Sequence, residues 1–104
     1  MKYFKESEFQ CPCCDKNNEQ HELKVMLDTA REEANIPFVI NSGCRCEKHN
    51  KKVGGRATSS HLNGTAVDLR VRNSRERHII LEALIYAGFK RIGIADSFIH
   101  VDID

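Results

Sequence analysis

The spacing of apolar and polar residues predicts two long amphipathic helices. Between residues 19 and 34, apolar side chains recur every three or four positions, as on one face of an α-helix, until Pro37 ends the repeat. The same spacing returns between residues 74 and 87, with Ser74 as the predicted N-cap and Gly88 as the C-terminal stop.

Shorter patterns predict four strands, at residues 38–40, 65–71, 91–94 and 98–103, and a third, polar helix at residues 46–53. The strand at 65–71 alternates between apolar and polar positions, which places Asp68 on the face away from the apolar side chains. The last two strands are separated by only three residues and are expected to form a hairpin. The prediction is an α+β fold in which the helices pack on a small, mostly antiparallel sheet.

Length and charge narrow the classes of function. With 104 residues, the chain is long enough for a single domain, residues 1–104. Sixteen Lys and Arg against fifteen Asp and Glu give a net charge of +1, so we expect no nucleic-acid partner. No apolar run approaches the roughly 20 residues of a membrane helix, so we expect no membrane insertion. The first residues lack a secretory signal, so we expect synthesis in the cytoplasm. We also expect a monomer.

Five cysteines lie in two short clusters that are expected to meet in space. The first holds Cys11, Cys13 and Cys14, and the second holds Cys44 and Cys46. Three states stay open: reduced thiols, one or two disulfides, and a structural zinc held by four thiolates drawn from these five. In each case we expect the clusters to stabilise the loop that carries Arg45.

A second set of residues suits a catalytic metal. His61 lies in a loop, Gly64 allows a sharp turn, and Asp68 lies on the strand that follows. An imidazole and a carboxylate that converge in this way can supply two of the three protein ligands of a catalytic zinc. His100, in the middle of an apolar strand, is the candidate for the third, and its alternative is a hydrogen-bonded core histidine.

These residues fall into two ordered motifs, Ser59-x-His61-x-x-Gly64-x-Ala66-x-Asp68 and Ile99-His100-Val101-Asp102. Together they resemble the zinc peptidases of the M15 family. The resemblance implies a zinc held by His61, Asp68 and His100, and a fold shared with the zinc-binding domain of hedgehog proteins. It also implies hydrolysis of peptidoglycan stem peptides or cross-links, by a D-Ala-D-Ala carboxypeptidase or an endopeptidase, and it leaves that choice open.

Asp102 is the predicted general base. It follows His100 by two positions, so an extended strand projects both side chains from the same face. Many M15 members instead carry an acid three residues before the last zinc histidine, and this position is Ser97 here. Asp96 in the preceding turn is the second candidate for the base. The alternative role for Asp102 is a hydrogen-bond acceptor that orients a zinc histidine.

Arg45 and Ser59 are the predicted substrate contacts. The resemblance implies an arginine at position 45 that faces the substrate, where it would grip a carboxylate or stabilise the oxyanion of the intermediate. Ser59 would donate a hydrogen bond to the substrate. The alternatives are a surface arginine and an ordinary loop serine or helix cap.

Two rival functions belong to other classes. One is a catalytically silent zinc-binding module of the same fold, and the other is a cysteine-rich zinc-ribbon module, which leaves the His and Asp motif unexplained. For the peptidase, the expected place of action is the cell wall, reached after a phage-type release.

Overall fold

A computed structural model describes residues 2–14 and 16–104. A short 3₁₀ helix at Glu6–Phe9 precedes three α-helices and four strands. In chain order these are α1 (His21–Ala34), β1 (Ile40–Ser42), α2 (Glu47–Lys52), β2 (Ala66–Arg70), α3 (Ser74–Tyr86), β3 (Arg91–Ile94) and β4 (Phe98–Asp102).

The four strands form one sheet in the order β1-β2-β4-β3, and every neighbouring pair is antiparallel. The two central strands, β2 and β4, pair in a continuous register that sets Asp68 opposite His100. β3 and β4 form the expected hairpin. The predicted α+β class is therefore confirmed.

Helices α1 and α3 pack together and cover one face of the sheet. Their buried side chains share one apolar cluster with alternate residues of the central strands: Leu23, Leu27 and Ala30 of α1, Ile80, Ala83 and Leu84 of α3, and Val67, Leu69, Ile99 and Val101 of β2 and β4. Because successive side chains of a strand point to opposite faces, Asp68 and His100 project from the face that the helices leave uncovered. Within the described residues, no helix combines the length and the apolar character needed to cross a membrane.

Several element boundaries differ from the sequence prediction by one or two residues, and three of these differences have a local structural reason. β1 begins at Ile40, two residues later than expected, because Phe38 is buried in the apolar cluster instead of extending the strand. α1 begins at His21, since the backbone N–H of Gln20 donates to the carbonyl oxygen of Gly64. The N-cap of α3 is Asn73, whose side chain accepts from the N–H of Glu76.

Candidate metal centre

Three of the predicted site residues converge on the uncovered face of the sheet. Asp68 and His100 are cross-strand partners on β2 and β4, and His61 reaches them from the loop between α2 and β2. One ligand atom of each residue lies within 4.8 Å of the others. We refer to His61, Asp68 and His100 as the His–Asp centre.

Hydrogen bonds aim both imidazoles at the same carboxylate oxygen. The Nδ1–H of His61 donates to the carbonyl oxygen of Gly43 at 2.8 Å, which leaves Nε2 facing Oδ1 of Asp68 at 3.3 Å. In His100 the roles of the nitrogens are reversed. Its Nε2 lies 2.8 Å from Oδ2 of Asp102, and its Nδ1 lies 2.9 Å from Oδ1 of Asp68. A histidine ligand is commonly fixed in this way through its second nitrogen.

The charges at the His–Asp centre suit a cation. Burial acts to raise the pKa of Asp68, but hydrogen bonds from His100 and His61 hold it at about 2, so the carboxylate is ionised. The same contact with Asp68 raises the pKa of His100. Two imidazoles and one carboxylate form a donor set that fits zinc and leaves a fourth position open for water or substrate.

The loop that carries His61 is held by close backbone contacts. Gly64 has a φ of +71°, as its predicted role in a sharp turn requires, and a side chain there would collide with the backbone of Asn18. The N–H of Arg45 donates to the carbonyl oxygen of His61 at 3.1 Å. His61 is consequently only 3% exposed.

The two candidates for the general base lie in different surroundings. Asp102 is 3% exposed and meets His100 Nε2, the Nε of Arg91 at 3.1 Å and the N–H of Asp104 at 3.2 Å. Asp96 is exposed in the turn between β3 and β4, at the opposite end of β4 from Asp102. The structure thus brings Asp102 to the His–Asp centre and leaves Asp96 away from it.

Arg45 extends its side chain toward the centre. Its Nη2 lies 3.5 Å from Oδ2 of Asp68, its Nε donates to the Oγ of Ser42 and its Nη1 donates to the Oδ1 of Asn50. Asn50 is buried and also donates to the carbonyl oxygen of Arg56 at 2.8 Å. A side chain at Gly55 would collide with Asn50, so the glycine is needed for this close packing. The guanidinium therefore has a fixed position.

The His–Asp centre, Arg45 and Asp102 line an open cleft of about 440 Å³. Ser59 lies on its wall, where its Oγ accepts from the N–H of His61 at 3.2 Å, as in the loop-serine alternative. Arg56 and Arg91 join Arg45 in the lining, and Asp68 and Asp102 supply the carboxylates among the described lining residues. The sequence patterns did not single out Arg56 or Arg91 as residues of this cleft.

The two cysteine clusters meet, as predicted, but one cysteine stays apart. Sulfur atoms of Cys11, Cys13, Cys14 and Cys46 gather within 4.8 Å of one another, and we refer to these four residues as the thiol cluster. Cys44 is the exception among the five proposed ligands. Its buried sulfur lies 3.0 Å from the side-chain oxygen of Asn18. Of the five cysteines, Cys44 is therefore the one outside the candidate structural site, because its side chain points into the protein.

A small α+β domain with a His–Asp centre in an open cleft is the arrangement expected of a metallopeptidase. The sequence profile of the peptidase M15 family matches residues 2–102. The chain therefore belongs to the peptidase M15 family. A search of curated proteins found no significant match.

Proposed function

We propose that this protein is a zinc peptidase that cleaves peptide bonds in peptidoglycan stem peptides or cross-links. The observation that carries the proposal is the convergence of His61, Asp68 and His100 at a cleft in a chain of the peptidase M15 family. Zinc bound there would polarise the scissile carbonyl and lower the pKa of a water molecule to about 7.

The protein's own residues hold and orient these ligands. The carbonyl oxygen of Gly43 fixes the ring of His61, and the carboxylate of Asp102 contacts Nε2 of His100. The contacts of Asp102 favour the orienting role over that of general base, because a buried carboxylate with three polar partners has little freedom to carry a proton. Its role as base stays a prediction, as does that of Asp96.

The charge of the cleft supports a peptide substrate that carries carboxylates. Arg45, Arg56 and Arg91 line it, and Arg45 is held beside the centre by Ser42 and Asn50. A fixed guanidinium can form two parallel hydrogen bonds with a carboxylate or stabilise a developing oxyanion. The terminal carboxylate of a D-alanine, or an internal carboxylate of a stem peptide, would meet this requirement.

Incubation of the zinc-loaded protein with purified muropeptides tests the proposal. Mass analysis of the products would show loss of a terminal alanine for a carboxypeptidase and two peptide fragments for an endopeptidase. The matched negative control is His100→Ala, which removes one ligand and leaves the apolar face of the sheet intact. Zinc binding at this centre without any cleavage would instead favour the silent zinc-binding module.

A further inference from the structure

A second group of metal-ligating side chains lies outside the cleft. The sulfur of Cys11 lies 3.5 Å from that of Cys13 and 3.7 Å from that of Cys46, and the sulfurs of Cys13 and Cys46 are 3.2 Å apart. Cys14 completes the thiol cluster. Four sulfurs bound to one zinc at about 2.3 Å lie roughly 3.8 Å apart at the corners of a tetrahedron. The observed separations are close to this value.

The backbone around the thiol cluster supplies donors to the sulfurs. The N–H of Cys46 points at the sulfur of Cys11, at 3.5 Å, and the N–H of His49 points at the sulfur of Cys46, at 3.4 Å. The N–H of Lys16 lies 3.5 Å from the sulfur of Cys14. Donors of this kind favour thiolates, which are the form that binds metal.

Cys44 is the one cysteine that lies outside the thiol cluster. Burial raises the pKa of Cys44 to about 11, in a position where its sulfur faces Asn18 instead of the cluster. The odd number of cysteines is thereby explained by four converging sulfurs and one buried thiol.

We propose that Cys11, Cys13, Cys14 and Cys46 bind one structural zinc ion, separate from the zinc of the His–Asp centre. Four thiolates are a soft donor set, which selects zinc over magnesium and calcium, and four protein ligands leave no position for substrate. One disulfide would use only two of the four sulfurs, and two disulfides would require one bond within the short segment 11–14, so neither accounts for the convergence of all four.

This ion would tie the N-terminal segment to the two loops of the cleft. Cys46 is the N-cap of α2 and directly follows Arg45. Lys16, whose backbone N–H faces the sulfur of Cys14, donates from its Nζ to the carbonyl oxygens of Arg45 and Leu62, both at 3.0 Å. Arg45 and the chain next to His61 are therefore connected to the thiol cluster through Lys16, and loss of this ion would loosen both loops.

Elemental analysis of the full chain, purified with zinc under reducing conditions, tests the proposal. We expect two zinc ions per chain in the parent, one in Cys14→Ser and one in His100→Ala. Cys44→Ala is the matched control and should retain two. If the His–Asp centre does not bind zinc, the ion sensitive to His100→Ala will be absent, and the ion sensitive to Cys14→Ser will remain.

Cobalt substitution gives a readout that does not depend on activity or on the folding of Cys14→Ser. The cobalt form of Cys44→Ala should show the strong near-ultraviolet absorption of sulfur-to-cobalt charge transfer and the visible bands of tetrahedral cobalt. Absence of these bands would overturn the proposal. So would a disulfide between Cys13 and Cys46, located by peptide mass mapping of the protein purified under reducing conditions, or a full second zinc equivalent in a folded Cys14→Ser variant.

Discussion

The His–Asp centre and the thiol cluster bring potential ligands together by different means. Asp68 and His100 lie on paired central strands, and a hydrogen bond to the second nitrogen fixes each histidine. In the thiol cluster, three of the four ligands come from four consecutive residues outside the sheet, and Cys13 and Cys14 are exposed. The fold therefore positions the side chains of the His–Asp centre for the proposed zinc, whereas the thiol cluster is expected to need its proposed zinc to hold the loops.

The largest expected effect follows from replacing the central carboxylate. Asp68→Asn keeps the shape of the side chain but removes the charge that the imidazoles and Arg45 share. Loss of zinc at this centre would forfeit several kcal/mol of transition-state stabilisation, or about a thousandfold or more in rate. The measurement is the rate of muropeptide cleavage with the zinc content of the same sample. Asp96→Asn, in the exposed turn, is the matched control and should stay near the parent rate.

The melting temperature of Asp68→Asn sharpens the comparison of the two regions. If the sheet holds this centre without metal, the variant should lose activity and keep a cooperative unfolding transition. An unfolded variant would contradict the view that the fold positions these ligands on its own.

The second largest effect is expected from substitutions of Asp102, which distinguish its orienting role from that of general base. As an orienting residue, Asp102→Ala should lose about 10- to 100-fold in zinc affinity or activity. Asp102→Asn should recover part of that loss, because its amide oxygen can still accept from His100. As a general base, both variants should lose about 10²- to 10⁴-fold in rate while keeping zinc. We expect the orienting pattern, measured as zinc affinity beside cleavage rate.

Cleavage rates of Asp96→Asn and Asp102→Ala, measured side by side, also test whether Asp96 is the general base. A slow Asp96→Asn variant together with an active Asp102→Ala variant would transfer the role of base to the turn between β3 and β4.

The sequence predicted the parts of the molecule that depend on local patterns. Apolar spacing located α1 and α3, alternation located β2, and the two motifs identified the residues of the His–Asp centre. β1 was misplaced because an apolar run looks the same whether its residues extend a strand or, like Phe38, enter the core. The contacts of Asn50 with Arg45 and Arg56 span only five and six residues, and that of Arg91 with Asp102 crosses one hairpin, but all of them depend on side-chain positions that periodic spacing does not encode. Likewise, spacing alone could not separate Cys46 from Cys44, because the loop conformation decides which sulfur faces the cluster.

The third prediction concerns two glycines in the loop between α2 and β2, which carries His61. Gly64 and Gly54 both have positive φ, but a side chain at position 64 would collide with Asn18 while position 54 is open. Gly54→Ala should therefore cost only the backbone strain, about 1 kcal/mol. Gly64→Ala should add the collision, for a total of roughly 3 kcal/mol in the free energy of unfolding. Denaturant titration of both variants measures the difference, and equal losses would mean that the contact with Asn18 does not constrain the His61 loop.

The smallest effect concerns Glu19, which lies between the thiol cluster and α1 and is only 6% exposed. Burial raises its pKa to about 7, against smaller opposing effects of Cys44 and Lys24, while an ordinary glutamate titrates at about 4.5. The folded state thus favours the protonated form. Its contribution to stability is complete below about pH 4.5 and is lost as the pH rises through about 7.

Glu19→Gln should remove this part of the pH dependence. The shift corresponds to roughly 3 kcal/mol at most, and we expect roughly 1 to 2 kcal/mol since the group can relax toward solvent. Relative to the parent, the variant should gain stability near pH 8 and show no gain near pH 4. Unfolding free energies at both pH values measure the effect, with Glu33→Gln on the exposed side of α1 as the control. An equal change at both pH values would show that Glu19 is ionised in the folded protein, and that the segment joining the two regions tolerates a buried charge.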